Sequence, residues 1–394
     1  MVKVITSEAK IKELLIRGVE EVIEYEDLEK KLKSGRVLKV KLGIDPTSAK
    51  LHLGQSVPLL KLRDFQELGH QIVFIIGDFT GLVGDTSDKS SERPMLDEAT
   101  IKRHMKSYVE QAAKILDIKK CEIRYNSEWL KKLNYLEISK QANQFSINEF
   151  ISRENIRRRL DANQRVSLRE VLYPLMQAYD SVAIKADVEI GGTDQRFNLL
   201  AGRELQRFYG QEPQNILTVP LLEGLDGRKM SSTWGNTINL TDSSRDMFGK
   251  IMSLKDELII KYFVLITRLD LKEIKRLETA LQKDANPRDI KMRLAYELVK
   301  FYYSEKEAQK EQEYFIKTFS RKELPQEAME VKLTHYDLLS ALIETGLAKS
   351  KSEARRVIKQ KGVKVNQKVI TDLNYLLKSG DILQKGKIFF RKIS

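Results

Sequence analysis

Val37-Leu38-Lys39-Val40-Lys41-Leu42-Gly43-Ile44-Asp45-Pro46-Thr47 reads as a strand over 37–42 that ends in a loop over 43–47. The spacing then predicts a helix from about residue 54 to 68. Gln71-Ile72-Val73-Phe74-Ile75-Ile76 follows, nearly all apolar, as a strand buried on both faces should be. Strand, crossover helix and strand make a βαβ unit, so a parallel sheet and an α/β class are predicted. Further buried strands are predicted at 186–190 and 216–221, with helical segments filling most of the space between them. Residues 7–34 read as amphipathic helix.

A chain of 394 residues accommodates two or three domains, and its 41% hydrophobic content supports a real core. No stretch approaches the roughly 18 apolar residues of a membrane span. Residues 243–324 are almost purely helical and polar, which predicts a separate helical domain. Residues 320–332 are polar, contain Pro325 and read as a linker. The expected domains are therefore 1–240, 241–325 and 333–394. The net charge is +13, and residues 333–394 alone carry 13 Lys and Arg against 5 Asp and Glu, a net +8. Charge concentrated in that short stretch points to a nucleic-acid module more than to a solvated face. A single cysteine, Cys121, excludes an internal disulfide and fits a reducing compartment. The histidines (His52, His70, His104, His335) are scattered, so no metal site is expected. Residues 2–23 mix Lys and Glu with apolar residues, unlike a signal peptide, and a cytoplasmic location is expected.

Several constellations carry chemistry. The loop Asp45-Pro46-Thr47-Ser48-Ala49-Lys50-Leu51-His52-Leu53-Gly54-Gln55 lies between a strand's C-terminal end and a helix N-terminus, where open α/β sheets bind ligands. Unpaired N–H groups there favour phosphate, His52 can donate to phosphate oxygens, and Gly54 admits close approach of a flat base or ribose. Lys229-Met230-Ser231-Ser232-Thr233, after Gly227-Arg228, presents one cation and several hydroxyls on a Gly-flanked loop, as a polyphosphate clamp requires. Tyr173, Gln177 and Asp180 fall at i, i+4 and i+7 on one helical face among apolar residues. That polar stripe faces either water or a lined pocket. Gly191-Gly192-Thr193-Asp194-Gln195 follows a predicted strand; the glycines permit close backbone approach, and Asp194 suits a ribose diol. Gly84-Asp85-Thr86-Ser87-Asp88-Lys89 lacks the glycine before its lysine and is not read as a P-loop.

His52-Leu53-Gly54-Gln55 resembles the H-x-G-H signature of class I aminoacyl-tRNA synthetases, and Lys229-Met230-Ser231-Ser232-Thr233 their K-M-S-K-S signature. The Tyr173-x-x-x-Gln177-x-x-Asp180 pattern and the Gly191–Gln195 turn are similar to those of bacterial-type tyrosyl-tRNA synthetases. Residues 348–358 and 362–366 resemble an S4 domain. The likeness covers nearly the whole chain. It implies a Rossmann-like catalytic domain with a dimer-forming insertion near 125–165, an α-helical anticodon-binding domain and a small α+β S4 RNA-binding domain, assembled as a homodimer. It implies tyrosine activation with ATP and Mg2+, then transfer of tyrosine to tRNA-Tyr. The implied catalytic residues are His52, Gln55, Lys229, Ser231, Ser232, Lys89 and Arg93. ATP would be held by Thr47, His52, Gly54, Gly192, Asp194, Lys229 and Met230. Tyrosine would be held by Lys41, Asp45, Asp85, Tyr173, Gln177, Asp180 and Gln195. Asp180 accepts the phenol hydrogen bond and Asp85 binds the ammonium. RNA would meet Lys349, Lys351, Arg355, Arg356 and Lys359.

Three positions depart from the family pattern. Gln55 replaces the second histidine, and Ser232 the second lysine. Lys41 stands where many bacterial members place a tyrosine that touches the phenol. Two alternatives follow. A tryptophan-specific synthetase shares the fold, but an indole gives Asp180 no phenol. A non-catalytic RNA-binding relative would draw on Gln55 and Ser232.

Overall fold

The computed structural model describes residues 4–85, 95–320, 329–386 and 389–394. Two compact units emerge: Met1–Thr241 with Leu254–Ile290, and Asp242–Ser253 with Lys291–Ser394.

In the first unit the apolar runs become a six-stranded sheet. Its strands are β1 Glu21–Ile23, β2 Lys39–Ile44, β3 Gln71–Ile76, β4 Cys121–Tyr125, β5 Val188–Gly192 and β6 Asn215–Val219. The spatial order is β1-β6-β5-β2-β3-β4, parallel throughout except that β1 lies antiparallel on β6. All of β6, and all of β3 but Gln71, are buried, which is why they read as unbroken apolar runs. Val73 and Ile75 pack against Trp129, Leu130 and Ile184. Strand order reverses between β2 and β5, which opens a crevice at the strands' C-terminal ends. The helices Leu53–Glu67, Leu168–Ile184 and Arg196–Phe208 begin or end at that crevice.

The predicted helix over 7–34 is corrected to two helices, Glu8–Ile16 and Tyr25–Lys33, separated by β1. Gly18 turns the chain at φ +58°, and the short run Glu21-Val22-Ile23 then pairs with the edge of β6. Three residues of strand are too few to break a helical pattern in sequence. β2 starts two residues later than predicted because the Leu38 N–H donates to His70 Nδ1 at 3.2 Å. The strand predicted at 186–190 likewise starts two residues later, as β5, whereas the one predicted at 216–221 starts one residue earlier, as β6. Residues 254–290 group with the first unit: Arg17 donates to the carbonyls of Val264 (3.3 Å) and Thr267 (2.8 Å).

In the second unit the helices Ser244–Met252 and Glu305–Phe315 are tied by Arg245, whose Nε bonds Glu311 at 2.9 Å and whose guanidinium lies over Tyr314. Toward the C-terminus come the helices Leu338–Glu344 and Lys351–Lys359. A sheet of β7 Met329–Val331, β8 Val363–Val365, β9 Lys368–Val369, β10 Ile382–Lys385 and β11 Phe389–Ile393 accompanies them, in the order β7-β11-β10-β8-β9. Leu338, Leu342, Ile358, Val363 and Leu383 anchor its core. Asn366 and Gln367 both have positive φ, the geometry of a tight hairpin between β8 and β9. Most of the predicted linker at 320–332 lies outside the described residues. Among the described residues, no helix is long and apolar enough to cross a membrane.

Candidate active site

A cavity of about 540 Å³ occupies the crevice at the C-terminal ends of β2, β3, β5 and β6. It gathers residues from every constellation read in the sequence of this unit. Asp45, Thr47, His52, Gly54 and Gln55 line it from the first loop, and Asp85 from the second. Tyr173, Gln177 and Asp180 line it from the helix Leu168–Ile184. Gly192, Asp194 and Gln195 come from the turn after β5, and Lys229, Met230, Ser231 and Ser232 from the last loop. Lys89 and Arg93 lie outside the described residues.

One end is closed and rich in carboxylates. Asp180 is 3% exposed. Its Oδ1 accepts from the Trp129 indole N–H at 2.7 Å and its Oδ2 from Asn126 Nδ2 at 3.4 Å. Burial pushes its carboxyl up to about 7, against the opposing pull of Lys41 and the two hydrogen bonds. The Tyr173 hydroxyl donates to Asp45 Oδ2 (2.9 Å) and the Thr80 hydroxyl to Asp45 Oδ1 (2.7 Å). Burial, with Asp45 next, holds the Tyr173 hydroxyl well above its ordinary range. Gly77 is required here, since a Cβ would collide with Asp45 Oδ1 and Thr80 Oγ1. Gln195 Nε2 donates to Asp85 Oδ2 at 2.7 Å.

The other end is built from loops and donors. His52 is the N-cap of the helix Leu53–Glu67, and Gln55 Oε1 reaches back to its N–H at 3.2 Å. Gln55 thus spends its carbonyl on the helix end and keeps its amide N–H groups as donors. Gly54 gives its N–H to Met230 Sδ at 3.4 Å, so the two signature loops meet. A Cβ there would press on the His52 ring and touch Met230, and Gly54 still lines the cavity. Asn236 ties the last loop: its Oδ1 accepts from Ser231 N at 2.8 Å, and its Nδ2 donates to Asp226 Oδ1 at 2.7 Å. That bond, with Arg228 beside it, holds the Asp226 carboxyl at about 2. Lys229 Nζ lies 2.8 Å from Asp194 Oδ2.

One expected residue is not brought to the cavity. Lys41 is fully buried, and its Nζ turns to Glu189 Oε1 at 2.9 Å and Ser181 Oγ at 2.7 Å. Lys41 as a tyrosine contact is corrected accordingly: its neighbours in the sheet claim its charge. Four residues absent from the sequence reading join the site, namely Thr80, Asn126, Trp129 and Asn198. Asn126 and Trp129 stand three apart at the C-terminal end of β4, and that placement was the signal available for them. In the second unit Lys349, Lys351, Arg355, Arg356 and Lys359 are all exposed, while Ala354 and Ile358 turn inward.

An enclosed anionic end for an amino acid beside a donor-lined end for phosphates defines a site for activating amino acids with a nucleotide. The chain belongs to the class I tRNA synthetases for tryptophan and tyrosine, whose family model matches residues 33–320. An S4 domain model matches residues 339–383. Within that class its curated relatives are specific. The tyrosine–tRNA ligase of Thermotoga maritima is 44% identical, covering 99% of this chain and 98% of its own. Tyrosine–tRNA ligase 2 of Clostridium acetobutylicum is 45% identical over 95% and 96%. Two solved structures share the fold. The truncated mitochondrial tyrosyl-tRNA synthetase of Aspergillus nidulans has a TM-score of 0.67 at 22% identity, covering 79% of this chain and 95% of that one. The Archaeoglobus fulgidus tyrosyl-tRNA synthetase complexed with L-tyrosine has a TM-score of 0.62 at 24% identity, over 77% and 99%.

Proposed function

We infer that the chain is a tyrosine–tRNA ligase. It joins L-tyrosine to ATP as tyrosyl-adenylate and then passes the tyrosyl group to the 3′-terminal adenosine of tRNA-Tyr. The observation that carries this reading is Asp180. It is a buried carboxylate at the closed end of the cavity, with both oxygens fixed by Trp129 and Asn126. Such a group costs stability unless a donor completes its shell, and a phenol is that donor. An indole ring brings no hydroxyl to that position.

In the first step a tyrosine carboxylate oxygen attacks the α-phosphorus in line. The bond to the bridging oxygen breaks, and pyrophosphate leaves with the electron pair. His52, Gln55 and Lys229, with Ser231 and Ser232, stabilise the developing negative charge, joined by Lys89 and Arg93. Thr47, Gly54, Gly192, Asp194 and Met230 hold the nucleotide. Magnesium enters with ATP as part of the substrate. Asp45, Asp85, Tyr173, Gln177 and Gln195 surround the amino acid. In the second step a ribose hydroxyl of the terminal adenosine attacks the tyrosyl carbonyl and AMP leaves. No side chain forms a covalent intermediate.

The full assignment places a catalytic domain at 1–240, an anticodon-binding helical domain at 241–325 and the S4 domain at 333–394. In the S4 domain Lys349, Lys351, Arg355, Arg356 and Lys359 meet RNA phosphates. It also includes a cytoplasmic homodimer joined through 125–165. That stretch leaves Tyr135, Leu136 and Ile147 exposed, an apolar surface suited to a second copy.

Tyrosine-dependent ATP–pyrophosphate exchange tests the reading. Exchange with tyrosine and neither tryptophan nor phenylalanine, falling about 10³-fold in Asp180→Ala, is the expected result. No exchange with any amino acid would sink the catalytic assignment.

A further inference from the structure

Two charged residues sit inside strands of the sheet, each between apolar neighbours. Lys41 sits in Val40-Lys41-Leu42 of β2, and Glu189 in Val188-Glu189-Ile190 of β5. The parallel register sets them directly side by side. Their exposures are 0% and 1%, and Lys41 Nζ lies 2.9 Å from Glu189 Oε1. A buried ion pair is weak evidence of stabilisation, because well-packed apolar residues often serve as well. The contacts of this pair lead instead into the site. Lys41 Nζ also donates to the Gln177 carbonyl at 3.2 Å and to Ser181 Oγ, on either side of Asp180. Glu189 Oε1 accepts from Gln177 Nε2 at 3.3 Å.

An ionised carboxylate only accepts, so the Gln177 amide must turn its NH2 toward Glu189. Its Oε1 then faces Asn198 Nδ2, at 3.0 Å. The same Nδ2 donates to Gln195 Oε1 at 3.0 Å, which leaves Gln195 Nε2 to donate to Asp85 Oδ2 at 2.7 Å. Each amide orientation follows from the one before it, and the series starts at Glu189. Reversing Gln177 would set carbonyl against carboxylate at one end and N–H against N–H at the other.

We propose that Lys41 and Glu189 are a positioning pair for amino-acid recognition: Glu189 fixes the amide orientations of Gln177, Asn198 and Gln195 around the cavity, and Lys41, paired with it at 2.9 Å, holds the Glu189 carboxylate in place in the sheet. The proposal rests on the tyrosine-activating reading. Lys41 thereby acts on the amino acid without touching it. Its charge also opposes the burial that raises the Asp180 carboxyl.

Two charge-free double variants of the full chain separate positioning from packing. Lys41→Met/Glu189→Gln keeps an acceptor for Gln177 Nε2, and Lys41→Met/Glu189→Leu removes it. In pyrophosphate exchange the first should keep its KM for tyrosine within about threefold of wild type. The second should raise it at least about tenfold, with KM for ATP unchanged in both. Equal tyrosine KM values in the two doubles would overturn the proposal, because a purely structural pair predicts that equality. Should the leucine double fail to fold, as thermal unfolding would reveal, Asn198→Leu cuts the series one step on. It should raise the tyrosine KM to a similar degree, and an unchanged KM there also overturns the proposal. Wild-type exchange run alongside distinguishes these outcomes from failure of the tyrosine reading itself.

Discussion

The two ends of the cavity are built on different principles. At the end proposed for the phenol, Asp180 and Tyr173 are buried, and the carboxylates of Asp180 and Asp45 are already gripped by protein donors. At the end proposed for the phosphates, Ser232 and Thr233 are exposed, and Lys229 is turned to Asp194. On the proposed assignment, a phosphate arriving there competes with Asp194 for the Lys229 ammonium. On that assignment, recognition of the amino acid is preorganised, while the charge that stabilises the reacting phosphate is completed by the substrate. Preorganised polar groups discriminate because leaving them unpaired is costly, and an adaptable loop contributes where charge develops.

The sharpest way to break that contrast, after Asp180→Ala, is Lys229→Ala. Loss of the clamp cation should lower kcat of pyrophosphate exchange by about 10²- to 10³-fold with KM for tyrosine unchanged. A large rise in tyrosine KM would mean that the two ends are not separable. Next comes Trp129→Phe, which keeps the ring and removes the indole donor to Asp180. A hydrogen bond to a charged group contributes about 1.5–3 kcal/mol. The variant should therefore lose about thirtyfold in kcat/KM for tyrosine, and steady-state kinetics should find KM for ATP unmoved.

The same contrast runs through what the sequence disclosed. The phosphate end was legible because its residues lie in short contiguous motifs, His52 to Gln55 and Lys229 to Thr233. The helical stripe of Tyr173, Gln177 and Asp180 was legible from its period, and the parallel core from the runs at 71–76 and 216–221. What stayed hidden depends on neighbours distant in sequence. Trp129 meets Asp180 across 51 residues, and Lys41 meets Glu189 only because β2 and β5 pair in one register. Either charge alone in an apolar strand reads as an anomaly, and only the pairing explains both. β1 escaped for a related reason: three residues become a strand through the edge of β6, with no periodicity of their own. Lys41 was misassigned because alignment with a family position says where the Cα stands, and the sheet decides where the charge goes.

The smallest expected effect is also the one that joins the two properties of Asp180. Burial pushes its folded-state carboxyl up to about 7, from an ordinary value of 3.8. As an acceptor for a phenol it must be ionised. At saturating ATP, kcat/KM for tyrosine should therefore rise about tenfold between pH 6 and pH 8, following the ionised fraction. Stability should move the other way. A carboxyl whose folded pKa is raised binds its proton more tightly in the folded chain, so its stabilising contribution is complete below 3.8 and lost as pH rises through about 7. Urea unfolding should show wild type losing more stability than Asp180→Asn between pH 5 and pH 8. If both lose the same amount, the carboxylate is not held against its own burial, and the phenol end is as adaptable as the phosphate end. If the variant's loss is smaller, the site keeps a destabilised anion in place so that tyrosine can complete its shell.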